Sequence, residues 1–497
     1  MRRMIKSRYI PIILGISFFF SCSLNEERFS TQGFEDYYQT KEQCIAALNS
    51  CYIPLNAIYK YQYLIVTEGV TDLMHIKSGT LDAQLDISPA QPRFGQTMWT
   101  EGYKGVMYSN AVFEGIDKVS PLSGEEKQYL LAESVILRAY YYWFLTCTFG
   151  DVPFYTEHVA SLEILDRIST LGRMPAKDTR DYLIDELLDY VPLLPQVRTS
   201  DIEGNRMGAA MGWMLISKLA QWNQQWDIAK DAISNLEKIY GDLSQYPLED
   251  VMLRNKNTPE SIFEVQHTYS ETGLKKVTNA AAICMPIHNG NGIYDGVEIP
   301  ELGSNATTWT ALRPNNYYFQ SVMPKRSSDK RKDLNMAWEY NGVPFKSTAS
   351  VPWLGPKFWS LGMSNVADGN NQKVFRYADA LLMQAENYMN LGDTDESIRY
   401  LNIVRDRAGI TPYSFRNMDA LKEEIQRERG RELLGEYQRK YDLVRWGIWY
   451  QITYDYTDYA TVKNQILPCH EYYPIPDKEV TYSKYNLDNK AYSEFGL

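Results

Sequence analysis

VFRYADALLMQAENYMNLGD (374–393), SIRYLNIVRDRAG (397–409) and RERGRELLGEYQRKYDLVRWG (427–447) make up most of the stretch from Val374 to Gly447. In each, apolar residues return every three or four positions, and Gly-Asp or Ala-Gly breaks separate the runs. That pattern predicts short helices packed antiparallel. Tyr377–Leu391 and Asp395–Ala408 form a helix–turn–helix unit, and Met207–Trp222 with Trp226–Ile239 repeats it upstream. Such pairs are like tetratricopeptide units, although their spacing is too irregular for a regular array. Asn417–Leu434 and Gln438–Tyr450 add further helices.

The N-terminal half reads the same way. Residues 40–53 form a helix, with Thr40 as N-cap, Gln43 completing a capping box and Pro54 ending it. Thr97–Val119 is helical, with Thr97 as its cap. Ser123-Gly124-Glu125-Glu126 is a second capping box, opening a long run that stops at Gly150-Asp151-Val152-Pro153. Asp178–Val191 is a short amphipathic helix. Between 240 and 373 helical periodicity gives way to Gly, Asn, Pro, Ser and aromatics, with one short strand at Ser261–Gln266. A loop-rich stretch of this length is usually functional. The expected fold is therefore all-α: a helical body with a large loop-rich region and minor β structure. It divides into a signal segment (1–21) and one domain over 22–497, helical at 22–239, a loop-rich candidate ligand region at 240–373, and helical again at 374–497.

The Arg/Glu density of the opening stretch invites a catalytic reading. Glu432 and Glu436 lie four apart, and on one helix face their Cβ atoms would be about 6 Å apart, like the paired carboxylates of a retaining glycosidase. Yet Arg427, Arg429, Arg431, Arg439 and Arg445 crowd them in sequence. Positive neighbours favour the ionised carboxylate, the wrong direction for a general acid. Arg427, Glu428, Arg431, Glu432, Glu436 and Arg445 are therefore expected to form a structural ion-pair network. HExxH, GxSxG and P-loop motifs are absent from the sequence, and the five histidines have no metal-ligand spacing. No catalytic residue, metal ligand or cofactor is expected.

The loop-rich stretch carries Tyr294, Trp309, Tyr317, Tyr318, Trp338, Tyr340, Trp353 and Trp359. Rings displayed on loops stack on sugar faces or clasp peptide side chains, and neighbouring amides and charges bond hydroxyls or amides. Tyr294, Trp309, Trp338 and Trp353 are the candidate ligand contacts. The other use of such rings is to pin long loops to the helical body.

The first residues are a targeting segment. Arg2, Arg3, Lys6 and Arg8 precede the apolar run Ile10–Phe20, which is too short to span a bilayer. The run ends in Phe20-Ser21-Cys22, a loose form of the bacterial lipoprotein pattern, with Cys22 as the lipid-bearing residue. The net charge is −11; loss of residues 1–21 removes four basic residues and leaves −15. Such acidity opposes phosphate backbones, so no nucleic-acid partner is expected. The five remaining cysteines lack disulfide or zinc spacing.

Taken together these residues resemble the SusD/RagB family of bacterial surface lipoproteins. The resemblance is carried by TKEQCIAALNSCY (40–52), by Trp99, Tyr103 and Asn110, and by Ala132-Glu133 through Arg138-Ala139-Tyr140-Tyr141-Tyr142 to Phe149-Gly150-Asp151-Val152-Pro153. It continues through Arg376-Tyr377-Ala378-Asp379, Asn402–Gly409, Glu428–Gly447 and Tyr473-Pro474-Ile475-Pro476. Asp379 stands where the family often has Glu, and 268–369 matches only around Asp329-Lys330-Arg331. The resemblance implies a lipid anchor in the outer membrane, facing outward. It implies a non-catalytic role as the capture lid of a SusC-like TonB-dependent transporter, for an oligosaccharide or, in some members, a peptide. No family ligand residue falls on a matching position here.

Overall fold

The computed structural model describes residues 34–497 apart from 78, 79, 271 and 274. The signal segment and Cys22 lie outside the described residues. The N-terminal part contains α1 (Lys41–Cys51), α2 (Ile53–Ile58), α3 (Tyr61–Glu68), α4 (Phe94–Glu114), α5 (Gly124–Phe149), α6 (Leu162–Ser169), α7 (Ala176–Tyr190), α8 (Ala209–Trp222) and α9 (Trp226–Tyr240). Two short helices, α10 (Ala280–Cys284) and α11 (Lys332–Asn335), sit in the loop-rich region. Then come α12 (Tyr377–Leu391), α13 (Thr394–Arg407), α14 (Met418–Glu432), α15 (Arg439–Arg445) and α16 (Trp449–Tyr456). Among the described residues no helix is long and apolar enough to cross a membrane.

Local chemistry sets the ends. Thr40 and Gln43 form the expected capping box at α1. Pro54 does not stop a helix but enters α2 in its first turn, where a missing N–H costs nothing. Ser123 precedes α5 but makes no side-chain cap, so the second expected box is not formed. Thr97 is interior to α4, which begins at Phe94. The expected helix over Gln438–Tyr450 is two helices, because Gly447 takes a φ of 69° between them. Gly105 has a different role: a Cβ there would lie 2.2 Å from the Tyr141 ring, so only glycine lets α4 seat on α5.

The helices stack nearly in chain order. α4 packs on α5, α5 on α7, α7 on α8 and α8 on α9; α9 meets α12, which packs on α13 and α14. The contact of α9 with α12 skips everything between them, so the loop-rich region is an insertion between consecutive layers of one helical stack. Its neck is an antiparallel ladder of Ser261–Val265 against Gln372–Arg376, buried throughout. Lys373 bonds Glu264 at 2.6 Å inside this neck, where Asn371 and the Asn257 N–H also donate to the carboxylate. The region is thus less irregular than its composition predicts. It holds short two-stranded antiparallel ladders, one of which pairs Leu312–Pro314 with Met74–Ile76 of the N-terminal part.

Beside the neck lies a buried ion cluster. Arg331 reaches Asp329, Glu428 and Glu432, and Arg376 reaches Glu260, Glu432 and Glu436, all within 2.9 Å. Arg407 joins Glu260 to Glu432, Lys357 holds Glu436, and Arg405 and Arg431 both hold Glu424 and Glu428. Six cations and six anions balance. Glu260, Asp329, Arg331 and Lys357 come from the insertion or its neck, and Glu424, Glu428 and Glu432 from α14, so the cluster ties the insertion to the body. A second buried group joins Lys218, Arg429 and Arg445 to Asp379, Asp442 and Glu386.

Three sequence expectations are corrected here. Arg427 lies outside the buried cluster and pairs with Glu423 at the surface. Arg445 belongs to the second group. Glu432 and Glu436 do not share a helix face: α14 ends at Glu432, and Gly435 and Tyr437 turn the chain with positive φ. They meet instead through Arg376. Burial raises the Glu432 carboxyl, but Arg407, Arg376 and Arg331 outweigh it and hold it well below the ordinary carboxylate range. Glu428 and Glu260 are lowered by their own arginines against the same burial term.

Two outcomes follow. Glu432→Gln strands buried guanidinium charge and is expected to cost about 3–5 kcal/mol, read as a lower urea midpoint; a loss below about 1 kcal/mol would show that the cluster does not fasten the insertion. Because these carboxyls titrate lower folded than unfolded, their contribution is complete above roughly pH 4.3, the ordinary Glu value, and falls away as pH drops through the folded values. Melting temperature should therefore fall with acid below that point. Added salt should change it little at neutral pH, since buried pairs are weakly screened.

Candidate ligand-binding site

The four candidate rings separate sharply. Tyr294 is fully buried, its hydroxyl donating to the Gly303 carbonyl at 2.7 Å and its ring against His288. Trp353 is also buried. Its Nε1 donates to Asp295 at 2.9 Å, and the Arg313 guanidinium lies 3.8 Å over its ring. Both rings lie inside the loops rather than on them, which corrects the expectation that they are displayed. They pin loops because the insertion is too large to be held by its few ladder bonds alone.

Trp338 is half-buried, with Phe319 at its edge and the Lys325 ammonium 4.4 Å from its ring centre. It lines an open groove of about 480 Å³ with Lys332, Asp333, Tyr340 and Asn341. Trp309 is different again: of the eleven tryptophans it alone is exposed, at 41%. Its ring meets Tyr61, the first residue of α3, edge to face at 5.0 Å between centroids. An exposed indole braced by a second ring is a platform for a flat, partly apolar ligand.

The platform is built from the main chain. The Trp309 and Thr310 N–H groups both donate to the Ala282 carbonyl in α10. The Tyr61 N–H donates to the Thr278 carbonyl just before α10. Thr278 and α10 are themselves fixed by Asp368, a buried carboxylate that accepts from the Thr278 hydroxyl (2.9 and 3.0 Å) and from the N–H groups of Ala281 and Asn370. Burial pushes the Asp368 carboxyl above its ordinary value, against those donors. One carboxylate thus sets the place of both rings although it touches neither. No spacing in the sequence marks Asp368 or pairs Tyr61 with Trp309, which lie far apart along the chain.

The two kinds of ring should respond differently to truncation. Trp353→Ala is expected to cost about 3–5 kcal/mol by opening a cavity beneath the loops. Trp309→Ala should stay within about 0.5 kcal/mol of the parent, as surface substitutions do. Denaturant unfolding followed by circular dichroism measures both, and a large loss for Trp309→Ala would make that ring structural.

Two family models match the chain, one described as "SusD family" over 302–492 and one as "Starch-binding associating with outer membrane" over 42–212. SusD-like protein P25 of Formosa agariphila is 26% identical over 446 residues, covering 82% of this chain and 81% of its own. SusD-like protein P38 of the same organism is 22% identical, covering 87% and 90%. Among solved structures, a SusD homologue from Bacteroides thetaiotaomicron superposes with a TM-score of 0.75 at 20% identity, over 91% of this chain and 97% of that one. Surface glycan-binding protein A of that organism, in complex with laminarihexaose, gives 0.71 at 19% identity, over 90% and 99%. The structural likenesses establish the helical fold. One family model falls on the N-terminal helices and the other on the end of the insertion and the C-terminal helices; with relatives that cover 82% and 87% of it, the chain belongs to the SusD/RagB family.

Proposed function

We propose that this chain is a non-catalytic glycan-capture lipoprotein of the outer membrane. In this reading it is anchored through Cys22, faces outward, and passes its ligand to a SusC-like TonB-dependent transporter. The single exposed tryptophan, Trp309, braced by Tyr61 on the loop-rich insertion, carries the reading. A pyranose offers a flat C–H face to such a ring while its edge hydroxyls reach water and neighbouring polar groups. Support comes from the solved relatives. One holds laminarihexaose and another is named a laminarin-binding SusD-like protein, with a TM-score of 0.70 at 20% identity. The outer-membrane location is supported by the name of the family model matching 42–212 and by the sequence around Cys22. The non-catalytic reading is supported by Glu432 and Glu436, the best carboxylate pair in the sequence: both are buried, Glu432 is held well below the ordinary carboxylate range by its arginines, and Glu436 is bridged by Arg376 and Lys357.

A glycan array followed by calorimetry on the mature chain tests this. The expected result is binding to at least one oligosaccharide, weakened roughly tenfold or more by Trp309→Ala, about 1.4 kcal/mol, with the fold intact. Binding only to peptides would move the protein to the peptide-capturing reading, and hydrolysis of the bound glycan would overturn the non-catalytic one. Detergent extraction of outer membranes should bring down a large barrel transporter with the protein; its absence would remove the lid role.

A further inference from the structure

The helical body has a cavity of its own. Of about 210 Å³, it is walled by α8, α9, α12, α14 and the turn after α15, and no residue of the loop-rich insertion lines it. Three tryptophans converge there: Trp222 ends α8, Trp226 begins α9 and Trp446 follows α15. Two of the rings are already engaged. Arg180 lies 4.6 Å over Trp222, and Arg445 lies over Trp446, whose Nε1 donates to Glu386. Among the described residues Trp226 has no ring, cation or side-chain hydrogen-bond partner, nor have the side chains of Gln224 and Gln426 on the same wall.

The chemistry of the wall narrows the occupant. Glu386 is matched by a bidentate bond from Arg445 (2.6 and 2.8 Å), so no carboxylate is left for a cation. Lys422, at the exposed edge, is too little positive charge for a phosphate-like dianion. A purely apolar occupant would cover the amides of Gln224, which is exposed, and Gln426, which is half-buried, without bonding either of them. Hydroxyl groups both donate and accept, as amides do, and they come with apolar faces in one class of small molecule. The volume is below the roughly 300–1,000 Å³ of drug-sized sites, enough for one ring and not for a chain.

We propose that this cavity is a saccharide site on the helical body that takes a single neutral pyranose, free or at a glycan end, stacked on Trp226 and bonded by Gln224 and Gln426. It stands on its own walls and does not depend on ligand binding at Trp309.

The test uses the mature chain carrying Trp309→Ala, so that the platform contributes nothing. The probes are the methyl pyranosides of glucose, galactose, mannose and xylose, followed by saturation-transfer NMR and titration. At least one should bind with a dissociation constant of ~1–10 mM, and Trp226→Ala and Gln426→Ala should each weaken it roughly tenfold without lowering the melting temperature. Gln426→Ala removes only an unbonded amide, so it keeps the test valid if Trp226→Ala fails to fold. No pyranoside signal, or a signal unmoved by Gln426→Ala, overturns the site. So does a Trp226→Ala protein that loses only its co-purifying membrane partner, which would make the cavity a protein contact. Failure of oligosaccharide binding in the parent chain bears on the Trp309 platform alone and leaves the pyranoside result standing.

Discussion

The buried ion cluster around Arg376 and Glu432 is the constraint on which the rest depends. Removing this many charges from water is expensive, and their mutual attraction repays it only if every charge is matched and well placed. The cluster meets that condition by being neutral and by drawing its members from separated pieces of chain. Arg331 cannot reach Glu428 and Glu432 unless the insertion is seated, and Arg376 cannot bridge Glu432 and Glu436 unless the strand at 372–376 has paired. A misplaced layer would leave bare charge in the interior. The cost of that error is what makes one docking of insertion on body much better than its neighbours.

Seating the insertion has consequences at its surface. The neck closes at Lys373 and Glu264, and a few residues before it Asp368 gathers the 278–281 backbone. From there main-chain bonds run to Trp309 and to Tyr61, so the exposed platform is fixed at one remove from the buried carboxylate. Tyr294 packs on His288, whose N–H bonds the Thr308 hydroxyl next to Trp309, and Trp353 holds the neighbouring loop through Asp295. The aromatic richness of this chain therefore serves two ends. Many rings are buried props, and among those that remain wet on one side are Trp309, Trp338 in its groove and Trp226 in the cavity of the helical body.

The helical body was largely legible. Period and bounding turns placed α8, α9, α12, α13 and α14 within a few residues; α9, α13 and α14 bury one face, while α8 and α12 are buried nearly all round. The family resemblance was legible too, as short-range words. Less so were boundaries set by a single backbone torsion: nothing in the period shows that Gly447 splits one helix into two, or that Pro54 opens a helix instead of closing one. The ion-pair reading of Glu428 and Glu432 was available from local charge, but Arg427 was wrongly included: it lies off the face that Leu421, Ile425, Glu428 and Glu432 turn inward.

By itself the sequence determined that the chain is a stack of short amphipathic helices interrupted by one aromatic, loop-rich insertion, since periodicity and turn residues act over a few positions. Only the tertiary structure decided which rings meet water. Tyr294 and Trp309 stand in similar loops with similar neighbours, yet one is sealed and the other displayed. Trp309 is set by distant segments, through Tyr61 and Ala282, and Tyr294 is sealed against Gly303 in a loop that Asp295 ties to distant Ser347 and Trp353. Burial is a property of those distant contacts, and a local pattern carries no record of them.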